Sequence, residues 1–242
     1  MIEANSLKLE LQKGAKSAIL FGKRSMPLQL ILFVTSRCNM RCDHCFYLDE
    51  INDSSRTELS IEQIETLAKE LGGLNWVALS GGEPYLRKDL VEIKQSFYKH
   101  SRPNIMSHVT NGYYPDRISD MTGKMAASCS KSKVLVIFSL DGLQDTHDQI
   151  RHSPGSFDLV RESIQSVQKH QSDYPNLETG IVITAQDNNQ EELIPLIEYI
   201  ESKLMPDGIY INLHRDHTQP SNVIVDPQVL KHYQEALSLI HI

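Results

Sequence analysis

The chain has 242 residues, 40% hydrophobic and 23% charged, which excludes wholesale disorder and is enough for one substantial core. A net charge of −7, with no basic stripe, disfavours DNA or RNA as a bulk partner and leaves open only a local patch of the kind a tRNA would need. The longest apolar run, Leu30–Val34, falls far short of the roughly 20 residues of a spanning helix, so no membrane association is expected.

Residues 1–27 are expected to form a helical lead-in to a domain spanning 28–236. No charged segment followed by an apolar one marks a signal peptide there, and Lys23-Arg24 is too short a charge run to carry a function. Strands are expected at Leu28–Thr35, Trp76–Ser80, Asn104–Thr110, Val134–Leu140, Leu177–Thr184 and Ile209–His214, with helical periodicity between them. That alternation implies βαβ units and a parallel sheet. Six units fall short of the eight of a closed barrel, so the expected fold is α/β, a partial (β/α)6 TIM-like barrel.

The first connecting helix is the best marked. Ser60 with Gln63 makes a capping box, Leu59 and Ile64 make a hydrophobic staple, and Gly72 supplies the stop. Leu90, Ile93 and Phe97 share one face of the second helix; the third, around Asp116–Lys124, is weakly patterned. Val160, Ile164 and Val167 mark the fourth. The fifth, near Glu191–Leu204, accommodates Pro195 in its first turns, and a sixth begins at Asp226-Pro227. The final Leu-Ser-Leu-Ile-His-Ile (237–242) is what CTG TCT CTT ATA CAC ATC encodes, which matches the end of a transposase sequencing adapter; an apolar helix tail is the other reading, and the adapter is the one expected. On that reading the natural protein continues beyond Ala236.

Of the four cysteines, three fall within eight positions, a pattern unlike a secreted disulfide framework. They read as reduced thiols holding a metal in a cytoplasmic protein. Cys38-Asn-Met-Arg-Cys42-Asp-His-Cys45 is a C-x3-C-x2-C run directly after the first strand. Three thiolates on one loop can bind three corners of an iron–sulfur cubane, leaving one iron open. Zinc held by these cysteines with His44 or another histidine is the alternative. Cys129 stands apart, as a small structural thiol.

The loop resembles the cluster motif of the radical S-adenosylmethionine (SAM) superfamily, with His44 in the position that is usually aromatic. Three further segments carry the resemblance. Ser80-Gly81-Gly82-Glu83-Pro84 resembles the GGEP motif, Thr110-Asn111-Gly112 the TNG segment, and Ser139-Leu140-Asp141-Gly142 the SLDG segment, which is followed by His147 and Arg151. Each closes an expected strand, the end where βα-barrel sites are built.

The resemblance implies a [4Fe–4S] cluster on Cys38, Cys42 and Cys45, chelation of SAM by the open iron, reductive cleavage, and hydrogen-atom abstraction from substrate. It also implies that Gly81 and Gly82 let the ligand approach the backbone, with Glu83 assisting at the methionine amino group and Pro84 stiffening the turn. Asn111 and Ser139 would lie near the ribose or carboxylate, with Asp141 beside them; turn chemistry is their other reading. Arg151 would pair with the SAM carboxylate, or else lie solvated at a helix start. His214, Arg215, Asp216 and His217 would form a substrate-facing loop.

Within the superfamily the chain looks most like the branch with a C-terminal SPASM or twitch domain, whose members modify peptides or small precursors. The implied partners are a peptide or small-molecule substrate and an electron donor such as flavodoxin or ferredoxin. A non-catalytic zinc or structural-cluster protein is the reading from another class, and a fragment that binds cluster and SAM without turning over substrate is a third.

Overall fold

The computed structural model describes residues 27–214 and 227–239. The expected lead-in (Pro27 apart), Arg215, Asp216, His217, the Asp226 cap and residues 240–242 lie outside them.

Six strands form one sheet: β1 (Gln29–Thr35), β2 (Trp76–Gly81), β3 (Ile105–Thr110), β4 (Lys133–Ser139), β5 (Leu177–Ala185) and β6 (Gly208–Leu213). Their order in space is their order in sequence, and every neighbouring pair is parallel. The expected partial barrel is therefore present, with β1 and β6 as its edge strands among the described residues. Each boundary falls within one residue of its sequence expectation.

Helices link the strands: α1 (Ile61–Leu71), α2 (Leu90–His100), α3 (Pro115–Ser128), α4 (Gln144–Arg151) and α5 (Ser156–Gln168) between β4 and β5, α6 (Leu193–Tyr199), and α7 (Pro227–Leu239) after β6. α1 starts where the capping box predicts, because Ser60 Oγ accepts from Gln63 N–H while Gln63 Oε1 accepts from Ser60 N–H at 2.9 Å. It ends at Gly72, whose φ of 62° suits a residue without Cβ. Pro195 sits in the first turn of α6, where a missing N–H breaks no helical bond. A π turn, Ile200–Leu204, extends that helix. Leu237, Ser238 and Leu239 of the tail continue α7.

The core lies between sheet and helices. Val77, Leu79, Met106, Val134, Val136, Phe138, Ile181 and Ile183 alternate along the strands and are sealed by Ile64, Ala68, Leu90, Ile93, Phe97, Val160 and Ile164. Full burial of such an aliphatic or aromatic side chain contributes about 1.5–3 kcal/mol. Phe33 of β1 and Tyr210 of β6 fall on the other side of the pleat and are exposed, as is Ile31. Among the described residues no helix is long and apolar enough to cross a membrane.

α4 has no counterpart in the sequence expectation. Its segment, Gln144–Arg151, has a single aliphatic residue and a leucine at the N-cap. The start is supplied from elsewhere: Glu192 accepts from Leu143 N–H at 2.9 Å and from Thr146 Oγ1 at 2.6 Å. Asp148 of α4 then caps α5, accepting from Phe157 N–H at 2.8 Å and Ser156 Oγ at 2.9 Å.

Candidate active site

The site is built where β1 and β2 end. The β1–β2 register shifts between Phe33 and Thr35, as the chain turns into the cysteine loop. The loop and the glycine turn are then bonded together: Gly82 N–H donates to Thr35 O and Glu83 N–H to Arg37 O, both at 2.8 Å. A Cβ on Gly81 would lie 2.3 Å from Thr35 O, and one on Gly82 2.2 Å from Arg37 O. The room these glycines create is thus taken by the cysteine loop's own backbone.

A second grip comes from the far side of the barrel. Asp43 N–H donates to Ile150 O at 3.0 Å, Arg151 Nη1 donates to Cys42 Sγ at 3.4 Å, and His152 Nε2 lies 2.5 Å from Asp43 Oδ1. Asn52 closes the base of the loop, exchanging hydrogen bonds of 3.0 Å with the backbone N–H and C=O of Cys38.

Cys38, Cys42 and Cys45 line one cleft of about 160 Å³ with Gly81, Gly82, Glu83, Asn111 and Arg151. Pro84, Ser139 and Asp141 are not among its lining residues. Thr110 and His44, singled out in the sequence as a polar group of the TNG segment and as a motif variant or alternative zinc ligand, line the cleft too, whereas Met40, Phe46, Ile51 and Val109 carried no sequence signal for it. None of the three thiols is in a disulfide. Burial pushes Cys38 up to about 11 and raises Cys45 as well, so ligation would have to displace a proton from each. Among the described residues no three His, Cys, Asp or Glu side chains converge on a single ion. The donor set fits a cubane, which takes one thiolate per iron, and buried polar atoms without partners flank it: Asn39 Nδ2, His44 Nδ1 and Arg151 Nε.

Glu83 faces inward. It is 1% exposed; Oε1 accepts from Tyr85 N–H at 3.1 Å and Thr110 Oγ1 at 2.9 Å, and Oε2 from Asn111 N–H at 2.8 Å. Burial pushes its carboxyl up to about 7 against the pull of those donors. The GGEP and TNG segments are therefore joined through one carboxylate. Asn111 itself donates from Nδ2 to Asn39 Oδ1 at 2.9 Å, back into the cysteine loop.

Asp141 is fully buried and pairs with Arg151 Nη2, while its Oδ1 accepts from Thr184 N–H at 2.8 Å. Burial alone would raise its carboxyl, but Arg151 beside it, with His44 and His147, holds it below the usual range. Arg151 is buried at the end of α4, not solvated at a helix start, because Asp141 and Cys42 give its charge two partners. Burial lowers His44 to about 4, and its ring lies edge-on to His214 with centroids 6.4 Å apart. The β6 exit thus reaches the cysteine loop. Cys129 is fully buried, away from the cleft.

Residues 32–200 match the sequence profile of the radical SAM superfamily. The chain belongs to that superfamily. Members bind a [4Fe–4S] cluster and S-adenosylmethionine. The radical SAM chain is 29% identical to Fe-coproporphyrin III synthase of Methanosarcina barkeri over 77% of its own length and 44% of that protein's. It is 26% identical to the sporulation killing factor maturation protein SkfB of Bacillus subtilis, over 72% of its length and 39% of SkfB. It spans less than half the length of both relatives. Its fold is similar to that of Streptococcus suis SuiB bound to precursor peptide SuiA (TM-score 0.65, 17% identity, 93% of this chain and 50% of that one). It is also similar to native anSMEcpe with bound AdoMet (TM-score 0.66, 21% identity, 88% and 60%).

Proposed function

We propose that this radical SAM chain holds a [4Fe–4S] cluster on Cys38, Cys42 and Cys45 and cleaves SAM reductively to abstract a hydrogen atom from a peptide or small-molecule substrate. The observation that carries the reading is the meeting of three thiols, the Gly81–Gly82 turn, Asn111 and Arg151 in one cleft. When bound, the cluster and SAM supply the electron transfer and radical chemistry. The chain's residues bind, orient and shield. Arg151 keeps a buried Nε–H without a partner, suited to a carboxylate, while Asp141 fixes its other end. Glu83 orients the turn, and Met40, Phe46, Ile51 and Val109 line the cleft with apolar surface that limits water. Pro84 stiffens the turn; Ser139 and Asp141 act from behind the cleft.

A peptide substrate is the reading we favour. The similarity to SuiB bound to a precursor peptide supports it, as do the exposed Ile31 and Phe33 on the edge strand β1. The reading further places the chain in the SPASM or twitch branch, in the cytoplasm, reduced by a flavodoxin or ferredoxin.

Anaerobic reconstitution with iron and sulfide tests the proposal. A brown protein that, once reduced, converts SAM to 5′-deoxyadenosine supports it. A colourless protein retaining one zinc overturns it in favour of a non-catalytic metal-binding role.

A further inference from the structure

Behind the Gly81–Pro84 turn, four polar side chains from four elements meet inside the apolar core. Lys94 of α2 donates from Nζ to the Met106 carbonyl at 3.0 Å and lies 2.7 Å from Nδ1 of His108 on β3. Nε2 of His108 is 2.6 Å from the Tyr85 hydroxyl, which is 2.5 Å from Oγ1 of Thr122 on α3. All four side chains belong to residues with 0% exposure. With Lys94 as donor to Nδ1, the network is satisfied throughout by the tautomer that carries the His108 proton on Nε2, facing the Tyr85 oxygen, and by a Tyr85 proton shared with Thr122.

Such a chain is an expensive way to fill a core. Apolar side chains of the same shape would pack there without desolvating an amine, so the polar atoms contribute definition of position more than stability. What they define is Tyr85, the residue after Pro84. Its N–H is held by Glu83 Oε1 at 3.1 Å, and Glu83 is itself held by Thr110 and Asn111. The exit of the turn is therefore clamped to β3 at two levels, Glu83 on 110–111 and Tyr85 on His108.

We propose that Lys94, His108, Tyr85 and Thr122 form a positioning relay that sets the Gly81–Pro84 turn for SAM binding. The inference rests on the reading of that turn as part of the SAM site. None of the four is among the cleft-lining residues, so Lys94 and Thr122 act only through His108 and Tyr85.

The test compares the reconstituted wild-type chain with Y85F and with the all-apolar replacement K94M/H108L/Y85F/T122V. If the network serves packing alone, the all-apolar chain binds SAM as the wild type does. The relay predicts that both variants keep their cluster absorbance while the Kd for SAM rises about tenfold or more. Backbone hydrogen exchange at residues 81–86 is read on the same proteins without SAM. It is expected to speed up about tenfold in Y85F, and T122V serves the same measurement if the four-fold variant does not fold. Unchanged Kd with unchanged exchange overturns the relay. A wild-type chain that fails to bind SAM overturns the site reading instead, and the exchange rates still decide whether the relay holds the turn.

Discussion

Arg151 and Cys42 stand 109 positions apart in the chain, yet Arg151 Nη1 donates to Cys42 Sγ at 3.4 Å. The same guanidinium pairs with Asp141 from its other nitrogen, so one cation ties the end of α4 and the β4 exit to the cysteine loop. The flanking Ile150 and His152 both hold Asp43. The loop is held in place by a helix that no local signal announces.

This arrangement predicts a coupled pair. R151M leaves Asp141 as a buried charge without its main counter-ion and should destabilise the chain by about 3–5 kcal/mol. D141N/R151M removes both charges and should recover more than half of that loss. Denaturant unfolding of the singles and the double provides the cycle; additive losses would show that the two residues do not act together.

The glycine turn predicts a contrast between two alanine substitutions. In G82A the new Cβ meets Arg37 O, a backbone atom that cannot step aside, and the cysteine loop must shift. We expect about 2–4 kcal/mol of destabilisation and a marked fall in reconstituted iron. G155A meets nothing within 4 Å and has only its φ of +82° to accommodate, so about 1 kcal/mol and normal iron loading are expected. Iron content per chain distinguishes the two.

The cysteines predict a simple partition. C38A, C42A and C45A should each lose the absorbance of a [4Fe–4S] cluster, and C129A should keep it. Cys129 is buried in the core, so its truncation should cost about 1 kcal/mol of stability and nothing in iron or sulfide. Loss of the cluster in C129A would refute the ligand assignment.

Lys94 predicts a pH dependence. Burial lowers its amine to about 7, from an ordinary value of 10.5. Between those values the unfolded chain binds a proton that the folded chain does not, so the Lys94 contribution to stability rises with pH across that window. Of its neighbours, His108 is lowered well below its ordinary range, while Tyr85 and Cys129 are raised; all three stay neutral in the folded state near pH 8. The unfolding free energy of wild type minus that of K94M should therefore increase by about 1 kcal/mol from pH 7.5 to 8.5. A flat difference would mean that Lys94 remains charged in the core.

Much of this protein is determined by sequence alone, because its signals are local. The six strands are legible from runs of β-branched and aliphatic residues between turns, and α1 from the Ser60–Gln63 capping box, whose hydrogen bonds close within four residues, and from Gly72 at its end. The order of the cysteine, GGEP, TNG and SLDG segments is equally plain. Parallel strands that follow one another in space bring their carboxyl ends together, so that order alone predicts a shared site. Even the relay left a trace: Lys94 occupies the apolar stripe of Leu90, Ile93 and Phe97, where a charge has no business without a partner.

What the tertiary structure decided is what each polar group faces. Glu83 lines the cleft as its motif suggests, but its oxygens accept from Tyr85 N–H, Thr110 Oγ1 and Asn111 N–H, since a buried carboxylate takes the nearest N–H and O–H donors. Gly81 and Gly82 lack side chains to admit Thr35 and Arg37. α4 exists because Glu192, far along the chain, caps it, and Arg151 is buried because Asp141 and Cys42 balance its charge. Periodicity and spacing report which residues turn inward. Only the assembled barrel determines which partner each one meets, because those partners come from elements dozens of residues away.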